Sequence, residues 1–315
     1  MVFSRIVIAL GGNALQEKGE ASAEAQQRRS AETARQLVPL IKQGHQIVII
    51  HGNGPQVGDI LLHEEAIDTA EVPSLPLDSC VAMSQGSIGY WLQQAIDNEL
   101  HKHRITTPVA SIVTQVVVNV DDPAFANPSK PIGPFYESET IARSAATHRG
   151  FIVKEDAGRG WRRVVPSPIP RSIVEKPIIN SLIDNGYIVI AGGGGGVPVI
   201  RTGSGLHGVE AVIDKDMSAA VLADMVDAEQ LLILTSIDSV KIGFGTSNER
   251  SLLNVNCDEM RRYCKAGEFA GGSMLPKVLA ALAFVEKSHG KRKAIIASLD
   301  NVKSAMVGKS GTIIS

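Results

Sequence analysis

The chain has 315 residues, 44% hydrophobic and 20% charged, with a formal net charge of −2 at pH 7. That is enough apolar material for a large core in one or two domains, and no excess of positive charge makes nucleic acid a main partner. No apolar run approaches the ~20 residues of a membrane span, and the N-terminal MVFSRIVIALGG lacks a cleavable signal pattern, so a cytoplasmic protein without a membrane partner is expected.

Arg5–Leu10 (RIVIAL) is a compact apolar strand that stops at Gly11-Gly12-Asn13. Residues 22–43 follow as a helix, with Gly44 as its C-terminal cap. A second strand, 46–50 (QIVII), ends at His51-Gly52-Asn53-Gly54, and a helix is expected over 57–68, broken by Pro73 and Pro76. Asp78 or Ser79 can cap a long helix reaching about 103, and 108–118 (PVASIVTQVVV) reads as the third strand. From 119 to 171 seven prolines and the polar tract KEDAGRGWRR interrupt the alternation, which marks an excursion with its own hairpin. A helix over 173–185 and a strand over 187–191 lead into five glycines, Gly192 to Gly196. A helix from 214 to about 226, the strand 231–235 (LLILT), a hairpin-like stretch through 251, helices over 256–266 and 275–287, a strand at 293–297 and an edge strand at 312–314 complete the chain. Strands alternating with helices and no repeat period predict an α/β sandwich around a mostly parallel sheet.

Ligands on such sheets gather at the carboxyl ends of the strands, where all three glycine turns fall. Gly11, Gly12, Asn13, Gly52, Asn53, Gly54, Gly193 and Gly194 are therefore candidates for an anion cradle of backbone N–H groups, tight turns being the plainer alternative. No GxxxxGK[ST] occurs and no clean GxGxxG follows the first strand, so neither a P-loop nor a dinucleotide site fits. Lys130 between prolines in NPSKPIGP, Lys215 between two aspartates, and Lys277 in GGSMLPK share rigid settings next to glycines, as phosphoryl transfer requires. Asp216 can hold two lysines; Asp214 can do the same, support a phosphate-bound Mg²⁺, or simply cap the helix. His51 is left out of the chemistry as a packed or turn-stabilising residue. Phe244 can stack on an adenine ring or make a plain apolar contact. Cys80, Cys257 and Cys264 carry no CxxC spacing and indicate neither disulfides nor a structural zinc site, so no protein-held metal is expected.

ALGGNAL, HGNGPQVG, VAMSQGSIGYWL, NPSKPIGPF, KEDAGRGWRRVVPSP, GGGGGVPV, AVIDKD and GSMLPK, in this order, resemble the carbamate kinases of the amino acid kinase superfamily, over essentially the whole chain. The resemblance implies a three-layer α/β/α fold around a mainly parallel eight-stranded sheet. It implies one amino-acid-kinase-like domain over 1–315, with a carbamate and phosphoryl lobe over about 1–190 and a nucleotide lobe over about 191–315. A subdomain protrudes at about 119–171, and the chain forms a homodimer. The implied reaction is reversible phosphoryl transfer between ATP and carbamate, giving ADP and carbamoyl phosphate, with Mg²⁺ carried on the nucleotide, run toward ATP in arginine catabolism. Lys130 maps to the lysine these enzymes supply from the subdomain, Lys215 and Lys277 to the other phosphate-contacting lysines, and Asp216 to the aspartate that organises them. Gly11, Gly12, Asn13, Gly52 and Asn53 match the carbamate site. The nucleotide is expected near Asp214, Ser236, Asp238, Phe244, Met274 and Lys277. The nucleotide loop KIGFGTSNER departs from the asparagine, tyrosine and proline common in the family. Two alternatives stand beside this reading: a superfamily enzyme acting on another small carboxylate, and a non-catalytic nucleotide-binding regulator.

Overall fold

Side chains alternate across a strand, so a strand buried on both faces must be apolar throughout. That is the case here. Ile6, Ile8 and Leu10 pack with Ile47, Ile49, Leu232 and Leu234 in one core. Val7, Ala9, Val48, Ile50, Leu231 and Ile233 face the opposite core. Helices Ala23–Lys42 and Leu77–Lys102 cover the first face. Lys176–Asp184, Lys215–Met225 and Met274–Val285 cover the second, so the chain folds in three layers, α/β/α. The computed structural model describes residues 4–16, 20–156, 158, 160–288 and 290–315.

The central sheet has eight strands in the order Asn254–Val255, Thr312–Ile314, Lys293–Ser298, Gln230–Thr235, Arg5–Leu10, Gln46–His51, Ile188–Ile190 and Val109–Ser111. Every neighbouring pair is parallel except Thr312–Ile314 against Lys293–Ser298. The turns after Leu10, His51 and Ile190 therefore all open at the same carboxyl edge.

Several expectations need correction. Residues 108–118 are not one strand. Val109–Ser111 edges the central sheet, and Gln115–Val118 joins a second sheet ordered Gly205–Gly208, Val197–Thr202, Gln115–Val118, Pro170–Ile173. The chain changes sheets at Thr114, whose N–H donates to Gln85 Oε1 (2.8 Å) and whose carbonyl accepts from Gln85 Nε2 (3.1 Å). One buried amide thus takes the place of a strand partner at the crossing. The long helix starts at Leu77 after Pro76, without a side-chain cap; the Leu77 N–H donates instead to Glu210 Oε1 at 2.9 Å, and Asp78 lies in the first turn. The preceding helix spans Gly54–Ala66, because Pro55 is suited to a first turn where no N–H is needed. Thr312–Ile314 is interior to the sheet, with Asn254–Val255 outside it.

The excursion is more than a hairpin. Lys130–Tyr136, Trp161–Val165 and Ile152–Glu155 form an antiparallel sheet, with helix Glu139–Arg149 between the first strand and the last. Ser138 caps that helix and Gly150, at φ 73°, ends it. Ala157 and Arg159 of the polar tract lie outside the described residues.

Candidate active site

A cleft of about 300 Å³ opens at the carboxyl edge of the central sheet. Gly11, Gly12, Gly52, Asn53, Gly54, Gly194, Lys130, Asp214, Lys215, Asp216 and Lys277 all line it. Gly193 does not; it is buried behind the cleft, where a methyl group would stand 2.4 Å from His51 Nε2. Asn13 belongs to the turn through its backbone, and its side chain lies outside the described residues.

Packing explains the glycines in different ways. Gly192, Gly194, Gly195 and Gly196 have φ of 69°, 66°, 91° and 91°, a region that side chains with a Cβ rarely adopt. A methyl at Gly52 would stand 3.4 Å from Lys215 Cδ, in ordinary contact with the lysine stem, so Gly52 packs against that lysine. The N–H groups are less free than the turns alone imply. Gly11 N–H donates to the Leu234 carbonyl and Gly52 N–H to that of Leu10, extending the sheet. Gly192 N–H donates to Thr114 Oγ1, and those of Gly195 and Gly196 bond within the loop. The cleft gains its positive potential elsewhere, because the N-termini of Gly54–Ala66, Lys215–Met225 and Met274–Val285 all border it.

The lysines are held by two aspartates. Asp216, 3% exposed, accepts from Lys215 Nζ on one oxygen and from Lys277 Nζ on the other, the latter at 2.8 Å. Asp214 Oδ2 accepts from Lys130 Nζ at 2.6 Å, which ties the protruding sheet to the start of helix Lys215–Met225. Asp214 Oδ1 accepts from the Asp216 and Met217 N–H groups and caps the helix, so capping and lysine holding are one arrangement. Burial opposes the Asp216 carboxylate, yet the two ammonium groups hold it far below the usual carboxylate range. Burial likewise works against Asp214, and Lys130 outweighs it. The two lysines on Asp216 respond differently. Burial, with repulsion from Lys277, pushes Lys215 down, whereas for Lys277 the Asp216 charge overcomes burial and raises it. The ionised Asp216 favours the charged form of both.

His51 is buried against Gly193. Its Nδ1–H donates to the Gly52 carbonyl (2.9 Å), and burial pushes its pKa from the ordinary 6.5 down to about 4, with the Gly52 bond opposing and Lys215 assisting. Between those values the unfolded chain binds the extra proton, so stability is full above pH 6.5 and falls as pH drops toward 4, by about 3 kcal/mol from this group. Urea unfolding of the wild type and of His51→Gln at pH 7.5 and 4 checks this. The wild type is expected to lose more stability than the variant, and equal losses would remove His51 as the cause.

A second cleft, of about 920 Å³, meets the first at Ser273 and is lined by Ser236, Asp238, Phe244 and Met274. Asp238 is oriented by Ser298 Oγ (2.6 Å) and Asn301 Nδ2 (2.7 Å). Phe244 is 75% exposed, an apolar ring left without cover. Gly243 N–H donates to Glu268 Oε2 (2.7 Å), fixing the loop beside it. Pro55, Ile213, Thr235, Gly272, Ser273 and Pro276 also line the first cleft and were not candidates from the sequence. The string GGSMLPK contained three of them; Thr235, the last residue of a buried strand, carried no separate signal.

The pattern of the amino acid kinase family matches residues 4–298. Carbamate kinase 1 of Enterococcus faecium is 53% identical over 313 residues, 99% of each chain, and the carbamate kinase of Oenococcus oeni is 50% identical over all of both chains. Among solved structures, the carbamate kinase of Giardia lamblia bound to AMP-PNP superposes with a TM-score of 0.89 at 40% identity, covering 99% of this chain and 98% of that one. Lysines gathered at the carboxyl edge of a parallel sheet and full-length similarity thus agree: the chain belongs to the amino acid kinase family and, within it, to the carbamate kinases.

Proposed function

We propose that the smaller cleft is where carbamate and the terminal phosphoryl group of ATP meet, and that the larger one receives the rest of the nucleotide. The observation that carries this reading is the pair of lysines held on Asp216, lining one cleft with Lys130 and the glycine turns. A carbamate oxygen attacks the γ-phosphorus, the new O–P bond forms, and the bond to the bridging oxygen breaks with its electron pair leaving on ADP. Carbamate is already an anion, so no general base is needed, and the obstacle is anion meeting anion. Lys130, Lys215, Lys277 and the helix N-termini offset that repulsion and stabilise charge on the equatorial oxygens. Gly11, Gly12, Asn13, Gly52, Asn53, Gly54 and the Gly193-Gly194 turn shape the carbamate side.

Mg²⁺ would supply further neutralisation of the nucleotide phosphates. Among the described residues no group of three or more His, Cys, Asp or Glu side chains could hold a metal ion. The ion would be carried on the nucleotide phosphates, and Asp214, which lines the cleft, could support it there. Residues 1–190 would carry the carbamate side and 191–315 the nucleotide. Because carbamoyl phosphate is a mixed anhydride, transfer to ADP is the downhill direction, which fits ATP synthesis in arginine catabolism. A cytoplasmic homodimer belongs to the same reading and rests on the family resemblance.

Phe244 is the test of the nucleotide side. Its exposed ring matches an adenine stack worth about 1 kcal/mol, so Phe244→Ala is expected to raise KM for ADP about fivefold and leave kcat within twofold. Steady-state kinetics with varied ADP would place the base elsewhere if KM stayed unchanged.

A further inference from the structure

Lys130 reaches the cleft from a sheet that is not part of the main fold, so something must set how closely that sheet approaches. Two contacts on helix Gly54–Ala66 do this. At Gly58 the helix backbone touches the strand Lys130–Tyr136 directly. A methyl group on Gly58 would stand 2.0 Å from Gly133 Cα and 2.1 Å from Gly133 N. Gly133 is itself constrained, at φ 68°, and its carbonyl accepts from both Nε (2.9 Å) and Nη2 (2.6 Å) of Arg162 on the neighbouring strand. Two helical turns further on, Glu65 Oε1 accepts from Arg163 Nη1 at 2.5 Å. Arg163 pairs with Ile132 in the sheet, so both contacts bear on the same few residues next to Lys130.

We propose that Gly58 and Glu65 are positioning residues for the reaction: they seat the protruding sheet on helix Gly54–Ala66 at the one separation that lets Lys130 bond to Asp214 and meet the transferring phosphoryl group. This rests on the proposed role of Lys130. Gly133 is held from both sides, by its positive φ and by Arg162, so it has little freedom to yield to a side chain at 58. A Cβ there displaces the whole strand by more than 1 Å, a shift that can cost about a hundredfold when it moves a catalytic group. The atoms nearest such a Cβ belong to Gly133 and Ile132, and none to the central sheet, Lys215 or Lys277.

The experiment is a double-mutant cycle on kcat for ATP formation from ADP and carbamoyl phosphate, with Gly58→Ala, Lys130→Ala and the pair, and thermal midpoints recorded for each. Gly58→Ala is expected to lower kcat about a hundredfold with KM for ADP within twofold, and to have less than a threefold effect when Lys130 is already alanine. Glu65→Gln, a milder change that keeps the side-chain shape, is expected to lower kcat about fivefold and likewise to lose its effect in the Lys130→Ala background. It decides the matter should Gly58→Ala fail to fold. A fall of equal size in both backgrounds, or a kcat unchanged by either variant while Lys130→Ala is slow, overturns the inference alone. Normal turnover by Lys130→Ala would instead overturn the role of Lys130 and this inference with it.

Discussion

Lys277→Ala and Lys215→Ala are each expected to lower kcat by a hundredfold or more, since removing one preorganised donor from a transition state that concentrates negative charge costs about that much. Both ammonium groups are largely shielded from water, with side chains 16% and 11% exposed, so neither is screened as a surface lysine is. The two losses should not multiply. Each lysine depends on Asp216, which they share, and the double variant is expected to be only modestly slower than the worse single one. Single-turnover measurement of phosphoryl transfer reads this directly. A variant with normal turnover would take that lysine out of the mechanism.

Asp216→Ala is expected to damage both fold and turnover. It leaves two buried ammonium groups without their counter-charge, a change that typically costs about 3–5 kcal/mol. Burial already pushes Lys215 down, and without Asp216 it loses its proton more readily still. The cleft then holds that positive charge less firmly and without its positioning partner, and kcat should fall at least as far as in either lysine variant. The pH dependence has a definite sign. A lysine with a lowered pKa is charged only at lower pH, so the residual activity of Asp216→Asn should decline as pH rises through a range where the wild type stays level. A flat profile in the variant would show that Asp216 does not govern the lysine charges. In the wild type the Asp216 contribution to stability is present above the ordinary carboxylate pKa and disappears as pH falls below it.

The site was more legible than parts of the fold. Three strands with the same glycine exit implied a shared edge, and the parallel sheet places Gly11, Gly52 and Gly194 there. Asp214-Lys215-Asp216 marked a helix start and a charge cluster at once, because a cap and an ion pair use different oxygens of one carboxylate. Other features depended on partners remote in sequence. PVASIVTQVVV has an uninterrupted strand pattern, and only Gln85, 29 residues from Thr114, reveals the break. The start of helix Leu77–Lys102 rests on Glu210, 133 residues away. The anion cradle was read from glycine N–H groups, but the sheet ladder engages those of Gly11 and Gly52, a consequence of register that composition does not carry. The reason no side chain stands at Gly58 is Gly133 across the interface, which is remote from it in sequence.

The most direct measurement is ATP formation from ADP, Mg²⁺ and carbamoyl phosphate by the purified protein, with folded Lys277→Ala as the control. Rapid ATP production by the wild type is expected, with at least a hundredfold less by the variant. ATP no faster than the variant's background, from wild-type protein with a normal unfolding transition, would contradict the proposed reaction.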